Sequence, residues 1–273
     1  PTSGGSVRGN GHINVHETGA IEAVGHKVIS VPGKNGKLTA EDVERVYRLH
    51  WEDATHEHMP QPKLVYISNP TEIGTIYTKA ELEALRAVCD RCGLYLFLDG
   101  ARLGYGLAVE DNDLDLESIA ANCDVFISEG RKWEHSSERL LSSVIQKLAG
   151  DFRYLIKQKG GMLAKGRLLG IQFLELLQDG LYFDLGEHAV KLAQKLREGL
   201  LNAGYKMQDS TTNQQFVIVS DEELKKIEEK YCVSYIERIG EDQNVIRICT
   251  SWATTEENVE QFLRDAEQIK KAL

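Results

Sequence analysis

The run Leu94-Tyr95-Leu96-Phe97-Leu98, closing on Asp99-Gly100-Ala101-Arg102, constrains the fold more than any other stretch of the chain. Five consecutive apolar or aromatic residues without polar alternation suit a strand covered on both faces, as in the parallel sheet of an α/β protein. In open sheets of that kind, ligands lie beyond the carboxyl ends of the strands, where Asp99 and Arg102 would stand. Asp and Gly are also ordinary turn residues, so the strand end taken alone reads equally as a polar turn.

The neighbouring segments repeat a strand-and-helix rhythm. Leu64-Val65-Tyr66-Ile67-Ser68 is a second apolar strand, followed by the loop Asn69-Pro70-Thr71-Glu72-Ile73-Gly74. Thr78-Lys79-Ala80-Glu81 has capping-box spacing and opens a helix through Leu82, Leu85 and Val88 that ends near Gly93. Strand, loop, helix and strand in that order make a βαβ crossover, so the sheet is expected to be parallel. Residues 27–32 form a short strand stopped by Pro32, Thr39 caps a helix through Val43, Val46, Tyr47 and Leu49, and residues 123–128 form another strand.

Residues 1–11, rich in Gly, Ser and Thr, read as a flexible terminus or linker. Helices are expected at 152–159, 163–177 and 188–201, the last leading out of a large domain that spans 12–187. Beyond Gly204 the elements shorten: strands at 215–219, 233–239 and 245–249, a capped helix from Asp221 and a final helix at 255–273. Residues 188–273 are therefore expected to form a small α+β domain.

Composition excludes several classes. The 273 residues are 42% hydrophobic and 27% charged, as in an ordinary soluble globular protein. A net charge of -10 argues against nucleic acid as a partner, since phosphate contacts need clustered Lys and Arg. No apolar run is long enough to span a bilayer and no signal peptide is evident, so the expected location is the cytoplasm. The five cysteines are scattered, and Cys89 and Cys92 have no second pair to build a zinc site. His50, His56 and His58 stand among Glu52, Asp53 and Glu57, but the nearby Pro60 and Pro62 point to an exposed loop, and no metal is expected there. Neither a dinucleotide fingerprint nor a phosphate-loop motif is present.

A carboxylate at one strand end and Lys132 after a later strand are together the pair an aromatic aldehyde cofactor uses. The lysine amine forms a Schiff base, and the buried carboxylate keeps the ring nitrogen protonated. Spacing alone also leaves Lys132, beside Arg131, as a solvated surface lysine.

His12-Ile13-Asn14-Val15-His16-Glu17-Thr18-Gly19-Ala20, Asp99-Gly100-Ala101-Arg102-Leu103, Gly160-Gly161-Met162 and Val245-Ile246-Arg247 occur in an order that resembles the threonine aldolase and β-eliminating lyase family. The resemblance runs from about His12 to the C-terminus. It implies a three-layer αβα large domain with a mostly parallel sheet, the aspartate aminotransferase fold (fold type I), with a small α+β C-terminal domain. It also implies pyridoxal 5'-phosphate as cofactor. By that resemblance His12 stacks on the pyridine face and is a candidate for proton transfer, Asp99 pairs with the ring nitrogen and Lys132 is the Schiff-base lysine. Arg102 and Arg247 bind the substrate carboxylate and Glu17 lies near the cofactor. Glu72 stands where some aldolases carry a histidine that recognises the β-hydroxyl, and is taken as substrate-binding. Read without the family, His12 equally caps a turn and Arg247 equally is a solvated strand residue.

The chain departs from the family pattern in two places. Ahead of the His12 motif the family has a further N-terminal portion with a phosphate-binding turn; here Thr2-Ser3-Gly4-Gly5-Ser6 offers only small residues that could form an anion nest. Around the lysine the family has small residues, whereas this chain has Glu129, Arg131, Trp133, Glu134 and His135. The implied activity is cleavage of a threonine-like β-hydroxy-α-amino acid to glycine and an aldehyde. A β-eliminating amino-acid lyase of the same fold, an altered scaffold without catalysis, and more distantly a hydrolase using a metal on the three histidines, are the alternatives. The family also implies a homodimer or homotetramer and a small amino-acid substrate; the net charge and the lack of a bilayer-length apolar run are what set nucleic-acid and membrane partners aside.

Overall fold

The computed structural model describes the backbone of residues 3–8, 11–129, 139–143 and 149–273, with side chains throughout except at 3–8, 129 and 139–143. The first part runs β1 (Ser3–Arg8), α1 (His12–Val15), α2 (Ala20–Ala23), β2 (Lys27–Val31), α3 (Ala40–Trp51), β3 (Gln61–Ser68), α4 (Lys79–Cys92), β4 (Tyr95–Gly100), α5 (Leu103–Leu107), α6 (Leu116–Asn122), β5 (Val125–Glu129) and β6 (Arg139–Ser143). Then come α7 (Phe152–Gln158), α8 (Arg167–Leu177), α9 (Leu181–Asn202), β7 (Lys206–Met207), β8 (Gln214–Val219), α10 (Asp221–Glu228), β9 (Ser234–Gly240), β10 (Gln243–Cys249) and α11 (Glu256–Ala272).

The large sheet has the order β2-β1-β3-β4-β5-β6. Its pairs are parallel except for β5 with β6. Helical crossovers between successive strands enforce that direction, because a parallel pair cannot be joined by a tight turn. The second sheet, β7-β8-β10-β9, is antiparallel and is built entirely from residues beyond Gly204.

Local signals set the helix starts and burial sets their faces. Thr39 and Asp42, and likewise Thr78 and Glu81, form complete capping boxes at the heads of α3 and α4. A cap contributes about 1 kcal/mol. Each fully buried aliphatic side chain contributes roughly 1.5–3 kcal/mol. The packing of Leu82, Leu85 and Val88 against Val65, Ile67, Leu96 and Leu98 therefore decides where α4 lies on the sheet.

Strand periodicity sends the alternate residues the other way. Tyr66 lies opposite Phe97 and Ser68 opposite Asp99. Tyr66 and Val28 are buried on that second face, with Ile13 and Ile21 of α1 and α2 packed over them. Helices thus cover both faces, which gives the three layers, and the polar ends of β3 and β4 open toward the α1 side.

Two expectations about element bounds change. Ser3–Arg8 is not a linker: β1 lies inside the sheet, paired with β2 on one side and β3 on the other. Its partners are strands remote in sequence, so no local periodicity announces it. The helix expected at 188–201 begins earlier, at Leu181, and crosses the 187/188 boundary. Gly186 lies inside this helix, and a Cβ there would sit 2.5 Å from the Gly104 carbonyl oxygen. The glycine is a contact point that lets α9 lie against α5, not a stop. Tyr182, Ala189 and Val190 of α9 accordingly pack with Tyr105 of α5, while Leu192, Leu196 and Leu200 join the small-domain core.

Among the described residues no helix is long and apolar enough to cross a membrane, and no group of three or more His, Cys, Asp and Glu is arranged to hold a metal. His50 is not in an exposed loop; it is buried in the last turn of α3.

Candidate active site

β4 delivers Asp99 to the edge of the second face at 7% exposure. Its Oδ1 accepts the Ala101 N–H at 2.9 Å and its Oδ2 accepts the Tyr66 phenol. The Tyr66 ring is stacked on Phe97, with centroids 5.3 Å apart and planes at 9°. Desolvation of a carboxylate is costly, and charge-assisted bonds to both oxygens offset it while fixing its orientation.

One strand over, β3 ends at Ser68, whose Oγ donates to Glu72 Oε1 at 2.7 Å. The same oxygen accepts the backbone N–H of His12 at 3.1 Å, so Glu72 ties the β3 loop to α1. The His12 ring faces Glu17 through Nδ1, 2.8 Å from Oε1. A carboxylate only accepts, so Nδ1 is the donor in this contact and the ring is held with Nε2 turned away from Glu17. The His16 ring lies 5.1 Å from that of His12.

Arg102 follows β4 directly as the residue before α5. Burial pushes the nearby Tyr105 phenol above its usual range, against the pull of Arg102. Arg247 comes from β10, where it lies opposite Phe216 of β8. Its Nη1 donates to Gln214 Oε1 at 3.1 Å, and its Nε is buried without a hydrogen-bond partner.

A cleft of about 500 Å³ between the two sheets is lined by His12, His16, Glu72, Arg102, Phe216 and Arg247, among others. Four of the residues singled out in the sequence, His12, Glu72, Arg102 and Arg247, therefore converge from positions far apart in the chain. Glu17 stands behind His12, and Asp99 sits at the strand end beneath the Arg102 turn. Lys132 lies outside the described residues, as do Arg131, Trp133, Glu134 and His135. Ser3 to Ser6 do not form a nest, since that backbone is paired in β1.

Sequence reasoning passed over His16, Tyr66, Gln214 and Phe216. Tyr66 was accessible in principle, because strand alternation puts it on the face of Asp99 one strand away. The small-domain residues had no local signal, since their proximity depends on how β8 and β10 pair.

The donor set fits pyridoxal phosphate. A buried, doubly bonded carboxylate suits a protonated ring nitrogen, an imidazole fixed through Nδ1 suits a neighbouring proton-transfer role, and two guanidiniums lining the cleft suit an incoming carboxylate.

Comparison with known proteins gives the same family. Residues 2–137 match the model of the beta-eliminating lyase family. A low specificity L-threonine aldolase of Pseudomonas sp. (strain NCIMB 10558) is 30% identical over 265 residues, covering 96% of this chain and 75% of the relative. The threonine aldolase structure of Leishmania major superposes with a TM-score of 0.92 at 40% identity, over 98% of this chain and 78% of that one. Aspartate aminotransferase of Thermus thermophilus, at 15% identity and a TM-score of 0.68 over 98% of this chain and 74% of that one, shares the fold. The chain belongs to the threonine aldolase and β-eliminating lyase family of fold type I.

Proposed function

We propose that this protein is a pyridoxal-phosphate-dependent aldolase that cleaves the Cα–Cβ bond of a threonine-like β-hydroxy-α-amino acid. The observation that carries the reading is the convergence of two guanidiniums, an oriented imidazole and a carboxylate on one cleft beside the Asp99 strand end. Bound there, the cofactor supplies an electron sink for the pair released at Cα.

The chain's own groups would divide the remaining work. Arg102 and Arg247 grip the substrate α-carboxylate, which fixes the Cα substituents and so selects the bond that breaks. Asp99 keeps the proton on the ring nitrogen, and Tyr66 holds Asp99 in place. Glu72, with Oε1 already engaged by Ser68 and His12, accepts the proton of the β-hydroxyl as the carbonyl of the aldehyde forms. His12, held by Glu17, packs at the cofactor site, and Lys132 is its covalent anchor. Glycine leaves once Cα has regained a proton. We also assign the exposed apolar face of α8, with Leu168, Ile171 and Leu174, to contact with a second copy of the chain.

The reading is tested by loading the protein with pyridoxal phosphate and measuring the cofactor it retains. After removal of unbound cofactor and borohydride reduction, wild type should carry the cofactor covalently on the protein and Lys132→Ala should not. Wild type that retains no cofactor after loading, or Lys132→Ala that is labelled equally, would contradict the assignment.

A further inference from the structure

Arg247 is held by a residue that belongs to neither the cofactor site nor the cleft wall. Gln214 opens β8, two residues before Phe216, and strand alternation puts both on the face that Arg247 shares. The Gln214 side chain is fully buried, and its Oε1 is the acceptor for Arg247 Nη1 at 3.1 Å. Its own Nε2 has no acceptor, and neither has Arg247 Nε. Two adjacent buried donors are thus left over around one guanidinium, an arrangement that folding alone does not favour.

The backbone around Gln214 is fixed on every side. Its carbonyl accepts Ser210 Oγ at 2.5 Å. The neighbouring Asn213 exchanges bonds with Thr250, giving its amide to the Thr250 carbonyl at 2.8 Å and receiving the Thr250 N–H at 3.0 Å. Thr250 Oγ1 in turn donates to the Ala189 carbonyl of α9 at 2.7 Å. The same loop is seated on the large domain: the Thr211 N–H reaches the Gly74 carbonyl at 3.3 Å, and a Cβ on Gly74 would overlap Ser210 Oγ. Gly74 closes the loop that carries Glu72.

We propose that Gln214 is a positioning residue for substrate recognition: it turns the Arg247 guanidinium so that its remaining N–H groups meet the substrate α-carboxylate. The inference rests on the assignment of Arg247 as carboxylate ligand. The carboxylate, with lone pairs on both oxygens, is the acceptor for the Arg247 N–H groups that line the cleft, which the Gln214 bond to Nη1 turns toward it.

The test is a double-mutant cycle read by binding. Glycine is titrated into the cofactor-loaded protein and followed by its visible difference spectrum, with methylamine, an amine lacking the carboxylate, as control. Gln214→Met should weaken glycine about tenfold or more in the wild-type background. It should weaken glycine less than about twofold in an Arg247→Met background, because it acts through that side chain. Methylamine binding should be unchanged by Gln214→Met. Gln214→Ala, which cannot overpack, goes through the same cycle and keeps the test open if the methionine variant does not fold. If Arg247→Met weakens glycine but the Gln214 variants do not, or if the two losses add fully, the positioning role is wrong. If Arg247→Met leaves glycine binding intact, the carboxylate assignment itself falls, and Gln214 with it.

Discussion

A buried carboxylate is unfavourable unless its oxygens are bonded, and Asp99 has both engaged by groups that the strand register brings to it, Ala101 in its own turn and Tyr66 from β3. Asp99→Asn keeps the volume and the Tyr66 bond but removes the charge that holds a proton on a ring nitrogen. We expect the variant to fold normally and to lose about 10²-fold in turnover, measured by steady-state kinetics at saturating cofactor. Turnover near that of wild type would mean that Asp99 is only structural. The place of Asp99 at a strand end was legible because a run of unbroken apolar residues stops there, while the roles expected of Asp99 and Arg102 came only from the family resemblance. Gln214 was not, because a buried glutamine at the start of a strand has no distinguishing neighbour in sequence; only the antiparallel pairing of β8 with β10 brings it to Arg247.

At the scale of elements, the end of α3 carries a pH dependence. His50 is buried there, edge-on to Trp51 at 4.9 Å and 5.5 Å from the His56 ring. Burial, then His56 and more weakly Lys63, lowers its pKa from 6.5, with Asp53 opposing. The folded state therefore favours the neutral ring, and the unfolded chain binds the proton first as pH falls. Its contribution to stability is complete above pH 6.5 and is lost as pH drops through the lowered folded value. Urea unfolding at about pH 7.5 and about pH 5 should show a lower midpoint in acid, and His50→Phe should reduce that difference. An unchanged difference in the variant would remove His50 from the account.

The same scale shows what sequence reasoning can reach. The caps at Thr39 and Thr78 were legible because a capping box needs only four residues. β1 was not, because its Gly-rich segment gains its place from two strands far along the chain. The start of α9 was missed because its N-cap is Gly180, which has no side chain to make a capping bond, and the close contact of Gly186 with α5 is a matter of packing.

For the molecule as a whole, the cleft depends on α9 joining the two cores, so that Arg247 of the small domain faces Glu72 and Arg102 of the large one. α8 nevertheless leaves Leu168, Ile171 and Leu174 exposed, Leu174 at 65%, on positions three residues apart. An apolar stripe of this kind is costly in water unless a partner covers it. If this face holds a second copy, Leu174→Asp should shift the protein toward monomer in sedimentation velocity, whereas an unshifted distribution would contradict the assignment of this face.

We expect the cleft to break the Cα–Cβ bond and to spare the bond from Cβ to its oxygen. Retro-aldol cleavage of threonine yields glycine and acetaldehyde, while β-elimination yields 2-oxobutanoate and ammonia. Quantifying all four products from threonine and allo-threonine with the cofactor-loaded protein separates them directly. The account predicts glycine and acetaldehyde in equal amounts with no 2-oxobutanoate; 2-oxobutanoate as the main product, or no turnover of either substrate, would contradict it.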